Sequence, residues 1–130
     1  MNPTHLLDTS TLIWAVGAPE KLSRKARKIC TSHETRPAVS VVSLMELIIK
    51  TGRGNLQLAP DPVQWWNNHV RTLGFIVLPL RQAHVEHLWS LPPFHRDPAD
   101  RLLIAQAIVE GIPLVACDEA VQQYPVTVVW

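Results

Sequence analysis

The sequence predicts an α/β fold in which a mainly parallel central sheet carries helices on both faces. Two patterns lead there. Short apolar runs of strand length alternate with longer amphipathic segments along the chain, the order that buries a parallel sheet between helical layers. The eleven prolines lie mostly between those segments, as in Leu91-Pro92-Pro93-Phe94, and mark loops rather than a linker.

Taken in order, residues 5–7 read as a first strand and residues 10–15 as a short helix. Residues 23–30 form a basic amphipathic helix, and the apolar run at 38–42 a second strand. Helical patterns follow at 43–50 and 62–73, then a strand at 75–78 and a helix at 82–89. The helix at 98–110 has the clearest pattern, because Leu102, Leu103, Ala105, Gln106, Ala107 and Ile108 make a wide apolar face. Strands at 114–117 and 126–129 close the chain, and no internal repeat or low-complexity tract interrupts it.

A length of 130 residues suits a single domain over 1–130, and 47% apolar with 18% charged residues is ordinary for a soluble protein. Net charge is +1, so polyanion binding would have to come from local basic patches. Cys30 and Cys117 are too few for a disulfide framework and unlike a zinc site; they read as small core residues of a protein in a reducing cytoplasm. No basic amino-terminal stretch precedes a long apolar run, and no segment approaches about 18 consecutive apolar residues, so neither a secretion signal nor a membrane span is expected.

Four carboxylates stand where such a fold can gather them. Asp8 follows the first strand, Glu46 lies within an apolar helix, Asp100 opens another, and Asp118 closes a late strand. Open α/β sheets place their functional crevice beyond the carboxyl ends of the strands, where strand order reverses. Neighbouring ionised carboxylates repel, so a fold keeps such a group by protonating members or by placing a cation among them. That points to a hard divalent metal and phosphodiester chemistry.

Each acid also has a plainer reading. Asp8, before Thr9, Ser10 and Thr11, suits a helix N-cap, although one side chain can both cap and ligate. Glu46 sits among Leu44, Met45, Leu47, Ile48 and Ile49, where it is either a solvated stripe or a ligand whose charge needs a partner. Asp97 before Pro98 fits an N-cap with proline at the first helical position, which leaves Asp100 in the first turn for metal. Asp118 too can cap the stretch after it.

These segments resemble the PIN-domain ribonucleases, in particular the VapC-type toxins of bacterial toxin-antitoxin pairs. The resemblance rests on Leu6-Leu7-Asp8-Thr9-Ser10, on Val39-Ser40-Val41-Val42-Ser43-Leu44-Met45-Glu46-Leu47 with Lys50 following, and on His95-Arg96-Asp97-Pro98-Ala99-Asp100-Arg101-Leu102-Leu103-Ile104-Ala105-Gln106-Ala107. Ile112-Pro113-Leu114-Val115-Ala116-Cys117-Asp118 and the terminal Val128-Val129-Trp130 extend it over essentially the whole chain. It implies a three-layer PIN-like fold and a Mg²⁺- or Mn²⁺-dependent endoribonuclease, with Asp8, Glu46 and Asp100 as principal acids and Asp118 as the fourth. Asp8 and Asp100 would be the best metal ligands, while Glu46 would ligate or position the attacking water. The family often has Thr or Ser two places before the fourth acid, where this chain has Ala116. The resemblance also implies an RNA substrate, a cognate antitoxin, and a homodimer or toxin-antitoxin hetero-oligomer.

Other residues read less sharply. Lys21, Arg24, Lys25, Arg27 and Lys28 make a basic stripe that either grips RNA or is simply solvated. Arg96 and Arg101 would touch the scissile phosphate or pair with Asp97 and Asp100, and His95 would protonate a leaving group. Trp65 and Trp66 are expected to pack rather than stack on bases. Leu44, Ile48 and Trp14 are expected in the core, with a partner surface as the alternative. A phospho-receiver module would share the acids but needs a late lysine, and no lysine follows Lys50. The alternative within the same fold is a non-catalytic PIN-like module that binds RNA or protein.

Overall fold

The computed structural model describes residues 2–95 and 97–130, so the expectation for Arg96 lies outside the described residues. Strands β1 (His5–Leu7), β2 (Pro37–Ser40), β3 (Ile76–Leu78), β4 (Leu114–Val115) and β5 (Val128–Val129) form one sheet in the order β3-β2-β1-β4-β5. Every neighbouring pair is parallel. The chain builds outward from β1 through β2 to β3, then returns to place β4 on the other side of β1. Strand order therefore reverses between β1 and β4, and Asp8 and Asp118 follow those two strands.

Alternation along each strand divides the core in two. Leu6, in register with Ala38 and Leu114, faces a layer that includes Leu103, Ile104 and Ala107 of helix α6 (Pro98–Glu110). Leu7, in register with Val39 and Val115, faces Leu12 of α1 (Thr9–Gly17), Ala26 and Ile29 of α2 (Arg24–Thr31), and Trp65, Trp66 and Val70 of α4 (Pro62–Leu73). Both tryptophans are buried, as expected. Helix α3 (Val41–Gly52) contributes to both layers, through Val42 to the first and Leu47 to the second. Burying a leucine of this kind is worth roughly 1.5–3 kcal/mol, so the sheet is fixed from both sides.

Several boundaries differ from the sequence reading for local reasons. The second strand ends at Ser40, whose hydroxyl accepts the Val42 amide at 3.0 Å; Val41 and Val42 therefore open α3. Asp8 caps α1, so that helix starts at Thr9. Helix α5 (Gln82–His87) passes into a 3₁₀ turn at Leu88–Ser90. Lys21 belongs to a separate 3₁₀ turn, Pro19–Lys21, rather than to α2. Cys117 is exposed, contrary to the core placement expected for it, because β4 has already ended at Val115. Helix α6 ends where expected, at a left-handed Gly111 with φ 68° that a Cβ would strain. Among the described residues, no helix is long and apolar enough to cross a membrane.

Candidate active site

Asp8 extends β1 by one more sheet bond, its amide donating to the Val115 carbonyl at 3.1 Å. Its Oδ1 accepts the Thr11 amide at 2.8 Å, and the Thr11 hydroxyl donates to the same Val115 carbonyl at 3.0 Å. Capping engages one carboxylate oxygen, which makes the two readings of Asp8 compatible. Asp97 caps α6 through Oδ1, accepting from the Ala99 and Asp100 amides at 2.8 and 3.3 Å. Asp100 is thereby left in the first turn with its side chain toward the site.

Asp118 caps the 3₁₀ turn Glu119–Gln123, its Oδ1 accepting the Ala120 amide at 2.9 Å. His95 Nε2 lies 2.9 Å from Asp118 Oδ2 and 3.1 Å from Asp100 Oδ2. Asp8, Asp100 and Asp118 line one cleft of about 250 Å³, together with Ser10, Trp14 and Cys117. Trp14 is half-buried and meets Trp130 edge-on, with ring centroids 5.8 Å apart.

Glu46 takes a neighbouring position. It is buried, and both oxygens are engaged: the Thr9 hydroxyl donates to Oε1 at 2.7 Å, and Lys50 Nζ lies 2.9 Å from Oε2. Since Thr9 spends its proton on Glu46, the Ser43 hydroxyl must donate to Thr9 Oγ1 across their 2.8 Å contact. Glu46 and Lys50 border an adjacent groove of about 330 Å³ with Met45, Ile49, Arg53 and Asp97. The solvated-stripe reading of Glu46 thus gives way to a buried, paired carboxylate.

Crowding shows in the titration of these groups. Burial raises the Asp8 carboxyl above its ordinary value, and the charges of Glu46 and Asp118 add to this against the Thr11 hydrogen bonds. Asp100 is pushed up to about 6, by burial first and then by Asp97 and Glu46. For Asp118, burial alone would raise the pKa, but hydrogen bonds from His95 and the Ala120 amide outweigh it and the net shift is downward. Lys50 is raised, chiefly by its hydrogen bond to Glu46, and so holds its proton firmly.

The donor set suits a divalent cation. A ring nitrogen of His95 and carboxylate oxygens of Asp100 and Asp118 all lie within 4.8 Å of one another, and Asp8 shares the cleft of the two acids. The carboxylate oxygens favour a hard ion, and the charges of neighbouring acids add to burial in raising Asp8 and Asp100, so the cleft can accept positive charge. Arg101 does not supply it: its Nη2 donates to the Leu91 carbonyl at 3.1 Å. Among the described residues, no ion pair joins Arg101 to Asp97 or Asp100. Sequence reasoning gave no role to Thr9, Ser43 or Lys50. Only the four-residue step from Glu46 to Lys50 was a readable signal.

The parallel sheet brings three acids together in one cleft at the point where strand order reverses, the place where open α/β folds bind their ligands. The chain belongs to the PIN-domain family, whose model matches residues 5–126. It is 35% identical over 132 residues to Ribonuclease VapC22 of Mycobacterium tuberculosis, covering 96% of this chain and 98% of the relative. Among solved structures it is similar to VapBC2 from Rickettsia felis bound to a promoter DNA fragment, with TM-score 0.70, 13% identity and 96% of each chain covered. It is also similar to DNA-bound VapBC from Salmonella typhimurium, with TM-score 0.67, 18% identity, and 99% and 98% of the two chains covered. Identities this low establish the fold.

Proposed function

We propose that this chain is a metal-dependent endoribonuclease, the toxin of a toxin-antitoxin pair, with Asp8, Glu46, Asp100 and Asp118 as its site. The observation that carries the reading is the shared cleft of Asp8, Asp100 and Asp118, in a chain 35% identical to a ribonuclease. Asp8, Asp100 and Asp118 would hold Mg²⁺ or Mn²⁺, with Glu46 beside them. A cation bound there supplies Lewis acidity, lowering the pKa of water and offsetting charge on the phosphate.

The protein's own contribution is placement. Asp8 is held by its cap on α1 and Asp100 by the first turn of α6, while Asp118 accepts the Ala120 amide through Oδ1. Glu46, held by Thr9 and Lys50, is fixed in place as an acceptor able to orient the attacking water. Lys50 adds a permanent positive charge at the rim, suited to the phosphate backbone. In the hydrolysis, water oxygen bonds to phosphorus, the bond from phosphorus to one ribose oxygen breaks, and that oxygen gains a proton.

The domain spans 1–130 and works in the cytoplasm. Met45, Ile48 and Ile49, 43–44% exposed on α3, support a partner face for a homodimer or for an antitoxin hetero-oligomer. Leu44 and Trp14 are half-buried and contribute less to it. Exposed Arg24, Lys25, Arg27 and Lys28 on α2 support an RNA-gripping face. The test is cleavage of a cellular RNA pool by purified, partner-free protein with Mg²⁺ or EDTA, beside folded Asp8→Asn and Asp100→Asn. Metal-dependent cuts that vanish in both variants are expected. Metal-dependent RNA binding without cleavage would instead identify a non-catalytic module.

A further inference from the structure

His95 is fixed from several sides although it lies in no regular element. Its amide donates to the Tyr124 hydroxyl at 2.9 Å, and Tyr124 is buried with the Phe94 ring edge-on to it, centroids 5.3 Å apart. The bond from Arg101 to the Leu91 carbonyl ties the preceding loop to α6. The ring itself is oriented by Asp97, whose amide donates to Nδ1 at 3.1 Å. An amide has only a proton to give, so Nδ1 holds the lone pair and Nε2 carries the hydrogen. That single N–H faces Oδ2 of both Asp118 and Asp100.

We infer that His95 is a positioning residue of the acidic centre, which clamps Asp118 to Asp100 through a shared Nε2–H and is itself no metal ligand. The inference rests on the acidic-site reading above. Ligation through Nε2 would move the proton to Nδ1 and set it against the Asp97 amide, two donors 3.1 Å apart. Asp118 needs the clamp because its side chain is 42% exposed and stands on a short 3₁₀ turn. Among the described residues, only His95 and the Ala120 amide hydrogen-bond to its carboxylate. Ala116, two places upstream and buried, offers no side-chain donor. Both ring nitrogens are thus committed within the site, so His95 is not poised to protonate a leaving group. Its role is to keep two acids from separate segments at one fixed spacing, so that they present a formed site to an arriving cation.

The test measures Mn²⁺ affinity calorimetrically for the full chain and for His95→Gln, His95→Ala and Asp8→Asn, each checked for folding by thermal melting. Glutamine places an N–H near the position of Nε2. His95→Ala is expected to lose about 10–100-fold in affinity, and His95→Gln to regain most of it. An alanine variant that binds as the parent does, or a folded glutamine variant as weak as alanine, would overturn the clamp. Absence of Mn²⁺ binding by the parent, or equal binding by Asp8→Asn, would overturn the acidic site itself and the clamp with it. A ¹⁵N spectrum of the metal-free ring at mildly alkaline pH adds an independent reading: the Nε2–H tautomer is expected, and the Nδ1–H tautomer would refute the assignment.

Discussion

His84 and His95 are set in the same way, each with Nδ1 accepting a backbone amide and Nε2 turned to carboxylate, yet Glu110 beside the first and Asp100 beside the second are shifted in opposite directions. His84 is fully buried between α5 and α6; its Nδ1 accepts the Arg81 amide at 3.0 Å and its Nε2 lies 2.8 Å from Glu110. Arg81 also pairs with Glu110. Hydrogen bonding from His84 first, with help from Arg81, lowers the Glu110 pKa against its burial. At His95 two acids share one donor: burial first, then the charges of Asp97 and Glu46, push Asp100 up to about 6, while Asp118, hydrogen-bonded to the same ring, is lowered. Burial and neighbouring charge, rather than the mere presence of a histidine beside an acid, set the direction of the shift at Glu110 and Asp100.

The largest effects should divide the two clusters by function. Asp8→Asn and Asp100→Asn are expected to lower RNA cleavage by at least about 100-fold, while the metal-free melting temperature holds or rises because a repelling charge is gone. His84→Ala should do the reverse. Left without its partner, the α5–α6 interface is expected to lose about 1–3 kcal/mol of stability in denaturant titrations, with Mn²⁺ affinity unchanged in the folded protein. Loss of metal binding in His84→Ala would erase the distinction.

Next come opposite responses to pH. The Asp100 pKa is raised in the folded state, from 3.8 to about 6, so in that window the folded chain holds more proton than the unfolded one and stability falls as pH rises. The loss is at most about 3 kcal/mol, and Asp100→Asn should remove it from metal-free unfolding curves. The Glu110 pKa is lowered, so its contribution is present above the ordinary 4.5 and disappears as pH falls through the folded value. Glu110→Gln should flatten that acid limb alone. The smallest effect is expected away from both clusters: Arg24→Glu with Lys28→Glu should weaken RNA binding and reduce its salt slope by about 1–2. An unchanged slope would remove α2 from the RNA surface.

Much of this arrangement was legible because it is local. Apolar runs located every strand of the sheet, and Asp97-Pro98 announced both the start of α6 and the place of Asp100. The misreadings were local as well: Val41 and Val42 look like strand residues, but the Ser40 cap turns them into helix. What could not be read depends on distant partners. Thr9 meets Ser43 and Glu46 across 34 and 37 residues, and His95 reaches Asp118 across 23. No spacing rule anticipates such contacts, because they follow from strand order and from which face each helix covers. The His84 clasp escaped for the same reason, its partner Glu110 lying 26 residues away on the next helix.

The place of β4 in the sheet bears on when during synthesis the acidic cleft can assemble. Asp8 leaves the ribosome early, but the Val115 carbonyl that receives its amide and the Thr11 hydroxyl lies 104 residues beyond Thr11, and Asp118 comes later still. A nascent chain with only α1 to α6 exposed lacks both the neighbouring strand that anchors Asp8 and the acid that His95 clamps. The cleft closes only after β4 has emerged, because Asp8 gains its sheet partner and Asp118 joins the other acids only once residues 115–118 are in place.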